Sequence, residues 1–140
     1  MVDNARPPKN LSLVSVVVPT YNRAQLLPRA LQSALSQTHA LLEIIVVDDG
    51  STDNSIAVLS ARRQTMQHLR IVRHDRSGGQ SAAVHSGVLA ATAPIILTLD
   101  GDGQNPPEEL PKLAAPLLAD KTGRIGLVAG QRVGRQDTWS

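Results

Sequence analysis

The chain is expected to fold as a three-layer α/β/α domain with a mainly parallel sheet. Short Val- and Ile-rich runs recur along it, amphipathic segments with helical spacing alternate with them, and the polar clusters fall just beyond the runs. Strands alternating with helices give a sheet covered on both faces, and continuous rather than alternating apolar runs are what doubly covered strands look like.

The elements follow in order. Leu13 to Val18 is a Val-rich run, so it is a buried strand, which Pro19 is expected to end. Leu26, Leu27, Ala30, Leu31, Ala34 and Leu35 recur at helical spacing. They predict an amphipathic helix over 24–37 with Pro28 in or near its first turn. Leu42 to Val47 is the second strand. A polar turn over 48–53 leads to a second helix carrying Ile56, Val58 and Leu59, with Ser51, Thr52 or Asp53 as its cap. Residues 69–73 alternate and read as a more exposed third strand, 77–80 as a loop, and 81–91 as a small-residue helix. Residues 94–99 form the fourth strand. Pro106 and Pro107 suit the first turn of a last helix, with Glu108 and Glu109 at its positive end and Leu110, Leu113, Ala114, Leu117 and Leu118 on its buried face. Residues 125–129 predict a fifth strand.

At 140 residues the chain fits one domain with a moderate core. Residues 1–11 read as a disordered lead-in, 12–140 as the folded part, and the polar end predicts a domain incomplete at its C-terminus. With no Phe, one Tyr, one Trp and a net charge of +2, the chain lacks the stacking platforms and basic stripe of a nucleic-acid binder. The absence of Cys excludes disulfides and thiolate chemistry. No apolar stretch approaches the roughly 20 residues that span a bilayer.

Three polar clusters carry the chemistry: residues 19–23, 48–53 and 100–104. Each lies just past a strand, and a strand order 3-2-1-4 brings all three to one rim, where α/β sheets bind ligands. Asp100 and Asp102 are acids one residue apart at a strand end. Like charges that close favour a hard cation such as Mg²⁺ or Mn²⁺, with phosphate oxygens completing its shell. No glycine-rich turn follows the first strand and no Gly-Lys-Ser/Thr loop exists, so a dinucleotide cradle and a P-loop are excluded.

Val16-Val17-Val18-Pro19-Thr20-Tyr21-Asn22-Arg23, then residues 44–53, then Leu99-Asp100-Gly101-Asp102 resemble the inverting nucleotide-sugar glycosyltransferases of family 2, which have the GT-A fold. The stretch 100–111 is similar to the narrower branch that moves sugars onto dolichyl or undecaprenyl phosphate. The resemblance implies a nucleoside diphosphate sugar donor held by Pro19, Thr20, Tyr21, Asn22, Asp48, Asp100 and Gly101. Asp48 would accept a hydrogen bond from the base. The resemblance also implies catalysis by Asp100 and Asp102, and a divalent metal, Mg²⁺ or Mn²⁺, on Asp100, Asp102 and Gln104. Arg23 stands where that branch often has an acidic residue, and Gly101 where Ala is usual. A lipid-phosphate acceptor at the inner, cytoplasmic face of the membrane follows from the same branch. It needs no general base, being already ionised, whereas a saccharide hydroxyl would.

Local structural roles stand beside these. The local alternatives to a site role are helix capping for Asp49 and Asp53 and core packing for Tyr21, while Gly78 and Gly79 read as a flexible turn and Arg62-Arg63 as a solvated helix face. His39, His68, His74 and His85 lack metal-ligand spacing and read as surface or packing residues. The alternatives to a transferase are a non-catalytic nucleotide-binding module, forming a homodimer through an open sheet edge, and a receiver-like domain. The latter lacks the acidic pair it needs after the first strand.

Overall fold

The computed structural model describes residues 14–35, 42–100 and 109–124. Among these, strands β1 (Val14–Thr20), β2 (Leu42–Asp48), β3 (Leu69–Arg73) and β4 (Ile95–Thr98) alternate with helices α1 (Leu27–Leu35), α2 (Ser55–Arg63), α3 (Gln80–Ala90) and α4 (Glu109–Ala119). The sheet is parallel throughout, in the order β3-β2-β1-β4, as expected. In register, Thr20 lies beside Asp48 and Val17 beside both Ile45 and Thr98. The chain steps outward from β1 through β2 to β3, then returns to place β4 on the other side of β1. Strand order therefore reverses between β1 and β4.

Side-chain alternation splits the core into two halves. Val14, Val16, Val18, Ile44, Val46 and Leu97 pack with Leu27 and Leu31 of α1, Leu59 of α2 and Ala114 of α4. Val17, Ile45 and Val47 face α3 through Ala83. The α3 side is thin because the helix lies almost on the strands. A Cβ on Gly87 would come within 2.3 Å of a Val17 methyl.

At the amino end of the sheet Glu43 is the centre of a polar knot. Its carboxylate accepts hydrogen bonds from Ser15 Oγ (2.6 Å), Arg70 Nη1 (2.6 Å), and Thr92 N and Oγ1 (3.1 and 3.0 Å). Arg70 Nη1 also donates to the Ala90 carbonyl at the end of α3, and Ala93 N donates to Ser15 Oγ. Burial raises the Glu43 pKa, but the bonds from Ser15, Arg70 and Thr92 outweigh it and bring it down to about 2.

Several boundaries differ from expectation. β1 continues through Pro19 to Thr20, because Pro19 lacks only an N–H and the ladder goes on past it with Asp49 N donating to the Thr20 carbonyl. α1 starts at Leu27, after a turn in which Leu26 N and Leu27 N both bond the Arg23 carbonyl, so Pro28 does sit in the first turn. α2 has Asn54, not Ser51, Thr52 or Asp53, at its N-cap. α3 starts at Gln80, one residue early, and Leu118 of α4 is exposed rather than on the buried face. The fifth strand over 125–129 and the helix start at 106–108 lie outside the described residues, as does the lead-in.

Candidate functional site

Where the strand order reverses, a cleft of about 300 Å³ opens at the carboxyl ends of the strands. Among the described residues it is lined by Pro19, Thr20, Tyr21, Arg23, Asp49, Gln80, Ala83 and Asp100. This is the place where open α/β sheets bind ligands. Four of the residues expected there meet at this cleft: Pro19, Thr20, Tyr21 and Asp100. Tyr21 is 46% exposed, so it lies open at the cleft rather than roofing the core. Thr20 is buried, with Oγ1 lacking a partner.

Asn22 is placed otherwise. Its backbone adopts φ 51°, a left-handed conformation that Asn tolerates well. Its side-chain Oδ1 accepts from Thr52 N (2.8 Å) and Asp53 N (3.2 Å), and its own N–H donates to Ser51 Oγ (2.9 Å). Asn22 thus ties the loop after β1 to the loop after β2. Asp53 belongs to the same seam, accepting from Ser55 N (2.9 Å), Ser55 Oγ (2.5 Å) and Ala24 N (3.2 Å). The Ser55 hydroxyl leads in holding the Asp53 pKa below the usual range; desolvation opposes it, and the backbone N–H groups of Ser55 and Ala24 add to the lowering.

The two adjacent acids at the end of β2 point different ways. Asp48 continues the alternation of Ile44 and Val46, toward the α1–α2 side, and is fully buried. Its Oδ1 accepts from the backbone N–H of Ser51 (3.3 Å) and from the Ser51 hydroxyl. Its Oδ2 has no partner, and Arg73 Nε stands 4.0 Å away. Asp48 is not among the lining residues.

Asp49 lies on the cleft wall on the α3 side and does not cap α2. Its Oδ1 accepts from Gly78 N (2.9 Å) and faces His74 Nδ1 at 2.8 Å, while its Oδ2 accepts from Ser77 Oγ (2.8 Å) and Gly79 N (2.9 Å). An ionised carboxylate offers about four lone-pair sites, so these donors fill it. Desolvation pushes the Asp49 pKa up, but the bonds from Gly78, His74, Ser77 and Gly79 prevail and hold it well below the usual carboxylate range. The Ser77–Gly79 stretch is therefore clamped rather than a free turn, and His74 is a bonded participant rather than a packing residue. Gly50 makes the approach possible. It has φ +76°, and a Cβ there would lie 2.8 Å from the backbone of Arg76 and Ser77.

Asp100 ends the segment after β4, and its Oδ1 is 3.4 Å from Gln80 Nε2, a long bond. No group of three or more His, Cys, Asp or Glu placed to hold a metal occurs among the described residues. Gly101, Asp102 and Gln104 lie outside them. Asp100 is a hard oxygen donor on the cleft whose hydrogen bond among the described residues is the long one to Gln80, so it fits one ligand position for Mg²⁺ or Mn²⁺.

Sequence reasoning passed over Asp49, His74, Ser77 and Gln80. Strand alternation carried one step past Val47 would have separated Asp49 from Asp48. The bonds to His74 and residues 77–79 span 25 to 30 positions and leave no local signal.

A parallel sheet with a polar, acid-bearing cleft at its switch point defines an open-sheet α/β protein of the kind that binds ligands there, here with the GT-A fold. Residues 15–140 match the glycosyl transferase family 2, and the chain belongs to that family. It is 38% identical over 136 residues to undecaprenyl-phosphate 4-deoxy-4-formamido-L-arabinose transferase from Sodalis glossinidius, covering 94% of this chain and 40% of that protein. The enzyme of the same name from Enterobacter sp. is 41% identical over 130 residues, covering 90% and 38%. The chain thus spans about two fifths of the length of these relatives. Among solved structures, mannosyltransferase PcManGT from Pyrobaculum calidifontis, in complex with GDP-Man and Mn²⁺, superimposes with a TM-score of 0.71 at 31% identity. That match covers 86% of this chain and 36% of PcManGT. Residues 1–349 of S. aureus TarS in complex with UDP-GlcNAc give a TM-score of 0.59 at 28% identity, over 64% of this chain and 26% of that TarS fragment.

Proposed function

We propose that this chain binds the nucleoside diphosphate sugar donor of a family 2 glycosyltransferase that transfers the sugar, with inversion, to a polyprenyl phosphate. The observation that carries the reading is the cleft at the β1–β4 switch point, where Tyr21, Arg23 and Asp100 meet. An exposed aromatic ring suits a nucleotide base, a guanidinium suits diphosphate oxygens, and a carboxylate suits ribose hydroxyls or a cation. The relatives named for undecaprenyl phosphate support the acceptor class.

Asp100, Asp102 and Gln104 would hold Mg²⁺ or Mn²⁺, which when bound neutralises charge on the leaving diphosphate. The Mn²⁺ and GDP-Man of the PcManGT complex support this assignment. Pro19 and Thr20 would form the floor beneath the nucleotide, and Asn22 would act by holding the two loops in place. Asp48, beside Thr20 in the sheet and with no hydrogen-bond partner at Oδ2, would supply the acceptor for a base N–H once the loop over 48–53 yields to the ligand.

A phosphate acceptor arrives ionised, so the chain's own residues need only orient it and exclude water. Lipid-phosphate transfer would place the protein at the inner face of the membrane. No helix among the described residues is long and apolar enough to cross a membrane. A homodimer would form through β3 or β4, the outer strands of the described sheet.

Isothermal titration with UDP and with GDP, each in the presence of Mn²⁺, tests the donor reading. The expected result is binding by one nucleotide that weakens at least about tenfold, or about 1.4 kcal/mol, without metal or in Asp102→Ala. Equal heats in all three conditions would remove the metal from the reading, and no heat from either nucleotide would remove the donor.

A further inference from the structure

Asp49 and α3 are joined a second time, through His74. Its Nδ1 lies 2.8 Å from Asp49 Oδ1 and its Nε2 lies 2.7 Å from Ser86 Oγ. The carboxylate only accepts, so Nδ1 carries the proton of that bond, and in the neutral ring Nε2 accepts from the Ser86 hydroxyl. His74 itself is anchored at the sheet, its backbone N–H donating to the Asp48 carbonyl at 2.9 Å. α3 is therefore fastened at two heights. Its start hangs on Asp49 through Gly78 N and Gly79 N, and its middle hangs on His74 through Ser86. Gln80 and Ala83, between those fastenings, line the cleft.

We propose that His74 is a positioning residue for the nucleotide end of the cleft, holding Asp49 and Ser86 so that the clamped 77–79 loop presents Gln80 to the donor. The proposal rests on the donor-binding reading and adds to it a residue that itself does not line the cleft. Its side chain is 20% exposed, so it acts through its two partners. A histidine that merely filled space would need no donor at one ring nitrogen and no acceptor at the other.

The test uses the whole chain, titrated with UDP and GDP plus Mn²⁺, alongside amide-proton exchange at Gly78 and Gly79. His74→Ala is expected to speed exchange at both glycines and to raise the nucleotide Kd about tenfold, the loss of about one good hydrogen-bonded contact. His74→Asn places an amide N–H where Nδ1 was and is expected to restore both readouts to within about threefold. If His74→Ala fails to fold, Ser86→Ala, which removes only the second anchor, serves in its place and is expected to give about a threefold rise in Kd. Unchanged Kd in a folded His74→Ala overturns the proposal, as does a loss that His74→Asn does not repair. No heat from the unaltered chain, with glycine exchange still released by His74→Ala, overturns the donor reading while upholding the clamp.

Discussion

Glu43 at the amino end of the sheet and Asp49 at its carboxyl end are near twins in their bonding. Each accepts four hydrogen bonds from residues distant in sequence, and each has a pKa pulled below the ordinary range despite desolvation. Glu43 draws on Ser15, Arg70 and Thr92, ties β1, β2 and β3 to the segment before β4, and is absent from the cleft lining. Asp49 draws on His74, Ser77, Gly78 and Gly79 and stands on the cleft wall. The same chemistry thus fastens the sheet at one end and shapes the cleft wall at the other. Bond number and pKa do not distinguish the two; position relative to the switch point does.

The strongest way to break this comparison is to remove each acid in turn. Asp49→Ala strands four donors and is expected to lower stability by about 3 kcal/mol and to abolish nucleotide binding. Glu43→Ala is expected to lower stability by about 2 kcal/mol and to leave nucleotide Kd within about twofold. Urea unfolding and titration calorimetry read both. Equal loss of binding in the two variants would mean that the ends are coupled and that the contrast fails.

Gly50→Ala sharpens the carboxyl-end half. The new methyl meets backbone at 2.8 Å in a left-handed conformation, and the expected loss is about 2 kcal/mol by urea unfolding. A neutral outcome would show that the 76–77 backbone can move aside.

Acid titration sharpens the other half. The folded pKa of Glu43 lies below its ordinary 4.5, at about 2. Its contribution is therefore fully present above pH 4.5 and is lost as pH falls from there toward 2. Asp49 acts in the same direction, its contribution fading below the ordinary aspartate value of 3.8. Melting temperature followed through this window should fall less steeply in Glu43→Gln than in the unaltered chain. The smallest effect belongs to Leu89→Gln on the outer face of α3. Leu89 is 73% exposed, and a change within about 0.5 kcal/mol by urea unfolding is expected.

Much of this architecture is legible in the chain itself. Val-rich runs and helical spacing mark the described strands and helices, and the polar clusters after Val18, Val47 and Leu99 point to one rim. Pro19, Thr20, Tyr21 and Asp100 lie where those clusters place them. The exchange of emphasis between Asp48 and Asp49 depends on which helix covers which face, and that is a property of packing. His74 escapes notice because a lone histidine after an edge strand has no spacing rule, and its partners lie 25 and 12 positions away. Asn22 shows a third case. Its residue type suits the left-handed turn it makes, yet the work of its side chain is to accept from a loop some 30 positions on.

The seat of α3 on Val17 turns Gly87 into the fulcrum of a lever. Gln80 lies seven residues away, about 10 Å along the axis. A methyl group at the fulcrum would tilt the whole arm and swing its far tip out of alignment. Substitutions beneath α3 can thus tune where Gln80 stands while every residue at the mouth stays the same.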